Sequence, residues 1–466
     1  MRPLIAVAAV LLVASCRQGS APTFPLRTAA GKPPNVLLIT VDTLRADHLG
    51  TYGYERPTSA TIDALAARGV RCDFAFTSAP ETAPGVAAIL TGLHQHHNRV
   101  RFNREVLTSR IVTLAEQMSG AGYTTAAFVG NGLVGAERGF DQGFGHFDEF
   151  HERSAATRGM RAVRVDERGV DHTLAWMATA PAEPWFVWLH LFDPHGPSVP
   201  KDTTWAEPYA AAYAALGPRE PVPTSASNFG LRVIPLYQVL SDATGLGDYV
   251  RRYDSEVRAT DAQIGRLLAG LDEHRLTGST LVIVTADHGE SLVEHDEYLQ
   301  HGWFLYNTTL RIPLVVAWPG VVAAGRVLPE QIRSVDIVPT IEEIVGITRP
   351  AENAALDGAS FAARLVDPAA PPSVRTTYAV GPRGNHQFAI LEDGWKLIHT
   401  PAGRPTDPNS KSNFPTGLPD RYELYDYRND PGELHDLAAS EPARAHALTE
   451  KLAAFHRECQ LSGMGW

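Results

Sequence analysis

Three near-continuous apolar stretches each end on residues that can do chemistry. Asn35–Thr40 (NVLLIT) runs into Val41-Asp42, Trp185–Leu191 (WFVWLHL) into Phe192-Asp193-Pro194-His195, and Thr280–Thr285 (TLVIVT) into Ala286-Asp287-His288-Gly289. A lone aspartate after a strand is an ordinary turn or cap residue. Three such ends in one chain, two of them joining aspartate to histidine, point instead to a site. The 18 histidines of the chain hint likewise at metal or acid–base chemistry. A fourth segment, Pro80–Gly92 (PETAPGVAAILTG), places Thr82 two residues before Pro84. Proline suits the first turn of a helix, so Thr82 falls at a helix N-terminus, where unpaired N–H groups and the dipole favour an anion. Read locally, such a threonine is a plain N-cap.

The apolar runs lack alternation, which predicts strands buried on both faces, as in a parallel sheet covered by helices. Helical spacing lies between them. Thr58–Arg68 puts Ile62, Leu65 and Ala66 on one face, and Ser255–Leu271 does the same with Val257, Ile264, Leu267 and Leu268. The expectation is a doubly wound, mainly parallel α/β sheet whose ligands bind beyond the carboxyl ends of the strands. Residues 35–320 read as this catalytic domain. Pro197–Thr244, rich in Ala, Pro, Thr and Ser, reads as a long surface insertion beside His195. Residues 321–466 read as a smaller C-terminal α+β subdomain, with a helix at Val335–Val345, short segments Phe388–Leu391 and Trp395–His399, and a final helix Glu441–Cys459.

The 466 residues carry 41 Lys+Arg against 52 Asp+Glu, a net charge of −11 that argues against a nucleic-acid partner. A hydrophobic fraction of 44% excludes bulk disorder, and three cysteines exclude a disulfide scaffold. One arginine precedes the apolar run Leu4–Ala14, which is too short to span a bilayer and suits a cleaved signal peptide over residues 1–15. Val13-Ala14-Ser15-Cys16 resembles the bacterial lipoprotein box, in which Cys16 is lipidated. Residues 16–34 then form a tether, and the protein sits at the bacterial cell envelope, anchored to the membrane. Cys72 and Cys459 could bridge in that compartment, but Cys72 lies in an apolar strand-like run that suits a thiol buried alone.

Six separated motifs, PNVLLITVDTLRADHLGTYGY, ALAARGV, ETAPGVAAILTGL, FDPHGP, IVTADHGESLVEH and LRIPLVVAWPG, resemble in their order the sulfatase family of the alkaline phosphatase superfamily. WKLIHT and ELYDYRNDPGELHDLA resemble its C-terminal subdomain, so the likeness spans about residues 33–440. It implies an alkaline-phosphatase-like fold and a divalent metal ion (Zn²⁺, Mn²⁺, Ca²⁺ or Mg²⁺) held by Asp42, Asp287 and His288, with Thr82 as a nucleophile that also touches the metal. His195 matches a residue contacting the transferred group or the leaving oxygen, and His301 falls where many sulfatases have lysine. Asn103 resembles a substrate-contacting asparagine of phosphonate monoester hydrolases, whose metal motif is close to Asp42–Asp47. One metal is expected; Asp193, His195 and His301 could build a second site.

The departures shape the expected chemistry. Sulfatases carry Cys or Ser at the Thr82 position, within C-x-P-S-R, and oxidise it to formylglycine. Here the frame reads Thr82-Ala83-Pro84-Gly85-Val86, and threonine cannot give that aldehyde. The usual Gly-Lys-Trp-His segment is replaced by Phe128-Val129-Gly130-Asn131, and the second aspartate of the metal pair is Thr43. Asn131, Asn103 and Asp193 are therefore the candidate substrate contacts. Threonine nucleophiles serve related phosphodiesterases and phosphoethanolamine transferases, which implies hydrolysis of a phosphate or phosphonate ester in a small-molecule, glycan or lipid substrate. Two alternatives stand beside it: a sulfuric ester hydrolase working without formylglycine, and a surface lipoprotein that binds a ligand without turnover. His94, His96 and His97 read as an exposed loop, and His295 as loop support.

Overall fold

The computed structural model describes residues 23–150, 165–198, 202–217, 222–225, 231–351, 355–381, 387–402 and 419–461. The signal segment, Cys16 and the start of the tether lie outside these residues, as do parts of the 197–244 insertion. Strands β1 (Asn35–Val41), β2 (Val70–Phe76), β3 (Thr124–Val129), β4 (His146–Glu149), β5 (Trp185–Leu191), β6 (Thr280–Ala286), β7 (Arg311–Ile312), β8 (Leu314–Ala317) and β9 (Arg326–Arg333) form one sheet. Its order is β4-β3-β5-β1-β6-β8-β2-β7, with β9 also pairing β2. The three apolar runs are its centre: β1 pairs in parallel with β5 and with β6, and every residue of all three is buried. Pairing turns antiparallel only where β8 meets β6 and where β7 and β8 meet β2.

Helices cover both faces, as expected for strands that are apolar on both sides. The helix Leu246–Glu273 starts well before the expected Ser255, because Leu246, Tyr249, Val250 and Tyr253 extend the buried stripe of Val257, Ile264 and Leu267. The helix Thr82–Thr91 begins at Thr82, and all ten of its residues are buried. The insertion, expected to be without periodicity, contains short helical segments at Thr204–Tyr209 and Ala210–Ala214.

The expected boundary after residue 320 falls too early. Arg326–Arg333 pairs in parallel with β2, so the large sheet continues past that point. The helix expected at Val335 starts at Ile337, and it packs against the Thr82–Thr91 helix. The small C-terminal sheet starts only at β10 (Thr377–Gly381) and adds β11 (Gln387–Glu392), β12 (Trp395–Thr400) and β13 (Arg421–Asp426), all antiparallel. Alternate residues of this sheet face opposite ways. Phe388, Ile390 and Leu397 meet Leu448, Leu452 and Phe455 of the final helix, Pro442–Leu461, while Ala389, Leu391 and Ile398 face Leu305, Leu310 and Phe76 of the large domain. Each large apolar side chain buried there stabilises the contact by about 1.5–3 kcal/mol. Cys72 lies in the large core and Cys459 on the buried face of the final helix, and no disulfide joins them.

A buried ion pair of the C-terminal region is hydrogen-bonded to Leu305 and Asn307 of the body. Lys396 of β12 is fully buried, and its Nζ donates to Glu433 Oε1 at 2.6 Å, Asn307 Oδ1 at 2.7 Å and Leu305 O at 3.2 Å. Removing one partner of such a pair strands the other charge in low dielectric. Lys396→Met is expected to cost about 3–5 kcal/mol of stability in urea unfolding; a loss below about 1 kcal/mol would show that the pair is not what stabilises this region.

Candidate active site

The register of the central strands builds the site. Val41 of β1 lies opposite Ala286 of β6, so the next residues, Asp42 and Asp287, leave the sheet side by side. Both are fully buried. Thr43 turns the chain at φ 56°, a left-handed conformation that a β-branched residue rarely takes. Its backbone N–H donates to Asp287 Oδ1 at 3.3 Å, and its carbonyl accepts from Tyr253 Oη at 2.8 Å. Tyr253 in turn accepts from Arg45 N at 2.9 Å. The Arg45 guanidinium pairs with Asp47 and Glu294 and donates to Glu290 O at 3.1 Å, tying the loop after β1 to the loop after β6.

The outer oxygens Asp42 Oδ1 and Asp287 Oδ2 accept no hydrogen bond. His288 Nε2 lies 3.6 Å from the first and 3.7 Å from the second. His288 Nδ1 stands 2.7 Å from Gly289 O, which accepts its proton and leaves the Nε2 lone pair facing the carboxylates. Burial, then the neighbouring His301, pushes the His288 pKa far down, so the ring is neutral. Burial pushes Asp42 up to about 6, and burial followed by the Asp42 charge raises Asp287 as well. Two buried carboxylates with unpaired oxygens and a neutral imidazole, their ligand atoms within 4.8 Å of one another, match the donor set of a divalent cation.

Thr82 Oγ1 stands 3.4 Å from His288 Nε2. Its helix presses directly on the Asp287 turn: a Cβ at Gly85 would come within 2.5 Å of Asp287 O. Asn103 Oδ1 accepts from Ala83 N at 2.9 Å, so Asn103 sits at the first turn of that helix. The rings of His301 and His288 lie 4.4 Å apart, and those of His301 and His195 5.2 Å. His301 Nδ1 pairs with Glu290 Oε1 at 3.2 Å, and His195 Nδ1 donates to Gly196 O at 2.8 Å. The insertion returns here, since a Cβ at Gly196 would meet the Gln238 side chain at 2.1 Å and Tyr237 lies 6.5 Å from His195.

Several expected roles change. Asn131 donates from Nδ2 to Asp42 Oδ2 at 2.7 Å and caps the turn at Leu133 through Oδ1, so it braces a carboxylate of the candidate metal group. Asp193 accepts from Asp166 N at 3.3 Å, and burial raises its pKa to about 6. Among the described residues, Asp193, His195 and His301 do not converge as a three-ligand group. His94 and His96 are buried rather than part of an exposed loop, because the Gln95–Asn98 turn is roofed by Phe455 of the final helix. His295 stacks on Tyr306 at 3.6 Å and reaches Gly432 O, supporting its loop as expected. His190, hidden in the apolar run of β5, escaped the sequence reading. It is fully buried, with Nδ1 2.9 Å from Thr40 Oγ1 and Nε2 3.9 Å from Asp42 Oδ2. The polar interruption of WFVWLHL, opposite Thr40 in register, was its one signal.

The Sulfatase family model matches residues 34–347, and the C-terminal model of N-sulphoglucosamine sulphohydrolase matches residues 298–402. The chain belongs to the sulfatase family. Its members are typically dependent on a divalent metal, and Asp42, Asp287 and His288 are candidate ligands for one. This sulfatase-family chain is 23% identical to the Delta 4,5-hexuronate-2-O-sulfatase of Bacteroides thetaiotaomicron over 91% of its own length and 88% of the relative's. Among solved structures it superposes, with a TM-score of 0.71 and 19% identity, on a protein in complex with its substrate D-glucosamine-2-N,6-O-disulfate, covering 92% of this chain and 98% of the other. It also superposes on the phosphonate monoester hydrolase of Agrobacterium radiobacter, with a TM-score of 0.67 and 21% identity, covering 91% and 96%. Family membership brings ester hydrolysis, and these likenesses bring the fold.

The buried His190 has a consequence for acid stability. Burial depresses its pKa from 6.5 to about 3, and a cation beside Asp42 would push it lower still. Protons therefore bind the unfolded chain first. The stability from this neutral imidazole is complete above about pH 6.5 and is lost as pH falls towards 3. His190→Gln is expected to flatten the fall of Tm between pH 6.5 and 4; parallel Tm curves for the two proteins would exclude that role.

Proposed function

We propose that this chain is a divalent-metal-dependent hydrolase of phosphate or phosphonate esters with Thr82 as its nucleophile. The observation carrying this reading is the place of the Thr82 hydroxyl, at the first residue of a buried helix and 3.4 Å from His288 Nε2. A threonine offers an oxygen nucleophile and no route to formylglycine. The positions that hold serine and arginine in the formylglycine motif are Gly85 and Val86, both packed inside the protein.

A divalent ion held by Asp42, Asp287 and His288 would lower the pKa of the Thr82 hydroxyl and neutralise charge on the ester oxygens. Thr82 Oγ1 gives up its proton to solvent and attacks phosphorus, and the bond to the leaving alcohol breaks. His195 or His301 supplies the proton that this oxygen takes. Water then cleaves the phosphothreonine and restores Thr82. Asn103 holds the N-terminal turn of the helix in place through Ala83. Hydrolysis of a sulfuric ester by the same threonine is the second reading, favoured by relatives that carry sulfatase names.

Matched aryl phosphate, phosphonate and sulfate esters separate the two. Higher kcat/KM on the phosphorus esters is expected, with a phosphothreonine trapped at Thr82 by mass spectrometry. A clear sulfate preference would hand the site to the second reading. Thr82→Ala is expected to lower kcat/KM by about 10³-fold or more with metal still bound. Unchanged turnover in that variant would rule Thr82 out. Absence of turnover on every ester by the metal-loaded protein would leave a ligand-binding lipoprotein.

We also propose that residues 1–15 are a cleaved signal and that Cys16 is lipidated, with residues 16–34 tethering the enzyme to the bacterial envelope. The run of small and apolar residues before Cys16 supports this. Metabolic labelling with a tagged fatty acid should mark the wild-type chain and not Cys16→Ser, which should move to the soluble fraction. Equal labelling of both would refute the anchor.

A further inference from the structure

A second cluster of metal-ligating side chains lies outside the site just described. His96 and His97 sit on the turn Gln95–Asn98, which follows the Thr82–Thr91 helix. Glu458 comes from the final helix, at the other end of the chain. We propose that His96, His97 and Glu458 form a second divalent-metal site, of the Zn²⁺ type, joining the Gln95–Asn98 turn to the C-terminal helix.

The geometry supports it in three ways. First, Glu458 Oε1 lies 3.7 Å from His96 Nε2 and 3.7 Å from His97 Nε2, and the three ligand atoms all lie within 4.8 Å of one another. That separation is longer than a hydrogen bond, while zinc bonds of about 2.0–2.1 Å place tetrahedral neighbours roughly 3.3 Å apart. Closing the set around one ion draws these atoms from within 4.8 Å to that spacing. Second, the two rings lie 3.9 Å apart, although adjacent helical residues ordinarily point apart. Protonation of both would set two cations in contact. Burial, and then His97, pushes the His96 pKa down, which leaves its ring available as a neutral ligand.

Third, His97 is already oriented as metal-bound histidines are. Its Nδ1 stands 2.9 Å from both Asp357 carboxylate oxygens, which takes the proton to Nδ1 and turns the Nε2 lone pair towards Glu458. Asp357 is itself fixed, since its Oδ2 accepts from His94 N at 2.7 Å and its own N–H donates to Gly92 O at 3.0 Å. The same contact with Asp357 raises the His97 pKa, so an ion binding here displaces a proton from His97. The ring of His96 is buried beside Phe455, while the Glu458 side chain is 58% exposed, so an ion can enter from solvent. Two imidazole nitrogens and one carboxylate oxygen favour Zn²⁺ over Mg²⁺ or Ca²⁺, which prefer all-oxygen sets.

Occupancy would fasten the final helix to the segment leaving the Thr82–Thr91 helix, and it would stabilise the protein by mass action. The test uses the full chain carrying Asp42→Asn and Asp287→Asn, so that zinc bound at the active site does not enter the count. Competition with a chromophoric chelator should find one equivalent of Zn²⁺. Adding Glu458→Gln should weaken that binding about tenfold or more, and adding His96→Gln with His97→Gln should abolish it. Bound Zn²⁺ per chain in wild type against Glu458→Gln alone gives the same readout if the double variant does not fold, because Glu458 is on the surface. Zinc should also raise the Tm of wild type more than that of Glu458→Gln. No bound zinc at micromolar concentrations, or binding indifferent to Glu458 and the two histidines, overturns the site.

Discussion

Asp42 and Asp287 are two like charges in the interior, side by side because β1 and β6 run parallel in one register. Each keeps an oxygen that nothing among the described residues satisfies. Burying one unpaired carboxylate is costly, and burying two together is more so. Their raised pKa values express that cost. A counter-charge between them removes it, and the rest of the site is arranged around that need. His288 is kept neutral with its lone pair turned inward, Asn131 and the Thr43 N–H take the inner oxygens, and Tyr253 with Arg45 holds the strained turn that makes this possible.

The same constraint explains why the machinery is spread along the chain. A parallel sheet brings distant segments to one edge, so the loops after β1, β5 and β6 meet there with the start of the Thr82–Thr91 helix. Each loop then needs fastening, because loops carry few contacts of their own. Arg45 joins two of them, Asp166 takes the backbone N–H groups of Phe192 and Asp193 in a third, and Gln238 of the insertion lies against Gly196. The C-terminal sheet completes the enclosure through Lys396, Glu433 and Asn307.

Much of this was legible in the sequence where pattern and position coincide. The apolar runs with their terminal Asp and His gave the parallel core and the site edge, since buried parallel strands leave no other reading. Thr82 was legible as a helix start from Pro84. What escaped was set by tertiary contact. His190 sits inside a strand and means nothing until Asp42 appears beside it. The bond from the Asn131 amide to Asp42 was likewise invisible in the sequence. The boundary at residue 320 failed because β9 carries Arg326, Pro329, Glu330 and Arg333 among its apolar residues and yet pairs with β2, far earlier in the chain. His94 and His96 read as an exposed loop because the helix that buries them is remote in sequence.

The close approach of Gly85 to the backbone of Asp287 also bears on ancestry. A serine at 85 has no room unless the whole Thr82–Thr91 helix retreats, and an arginine at 86 would replace a valine enclosed by the core. The helix and the Asp287 turn have thus settled into a spacing that the formylglycine motif cannot occupy. Changing residue 82 to cysteine would restore one letter beside Pro84 and leave Gly85 and Val86 where the motif has serine and arginine. The two kinds of nucleophile are separated by a packing rearrangement, so a lineage crossing between them must alter several core positions together.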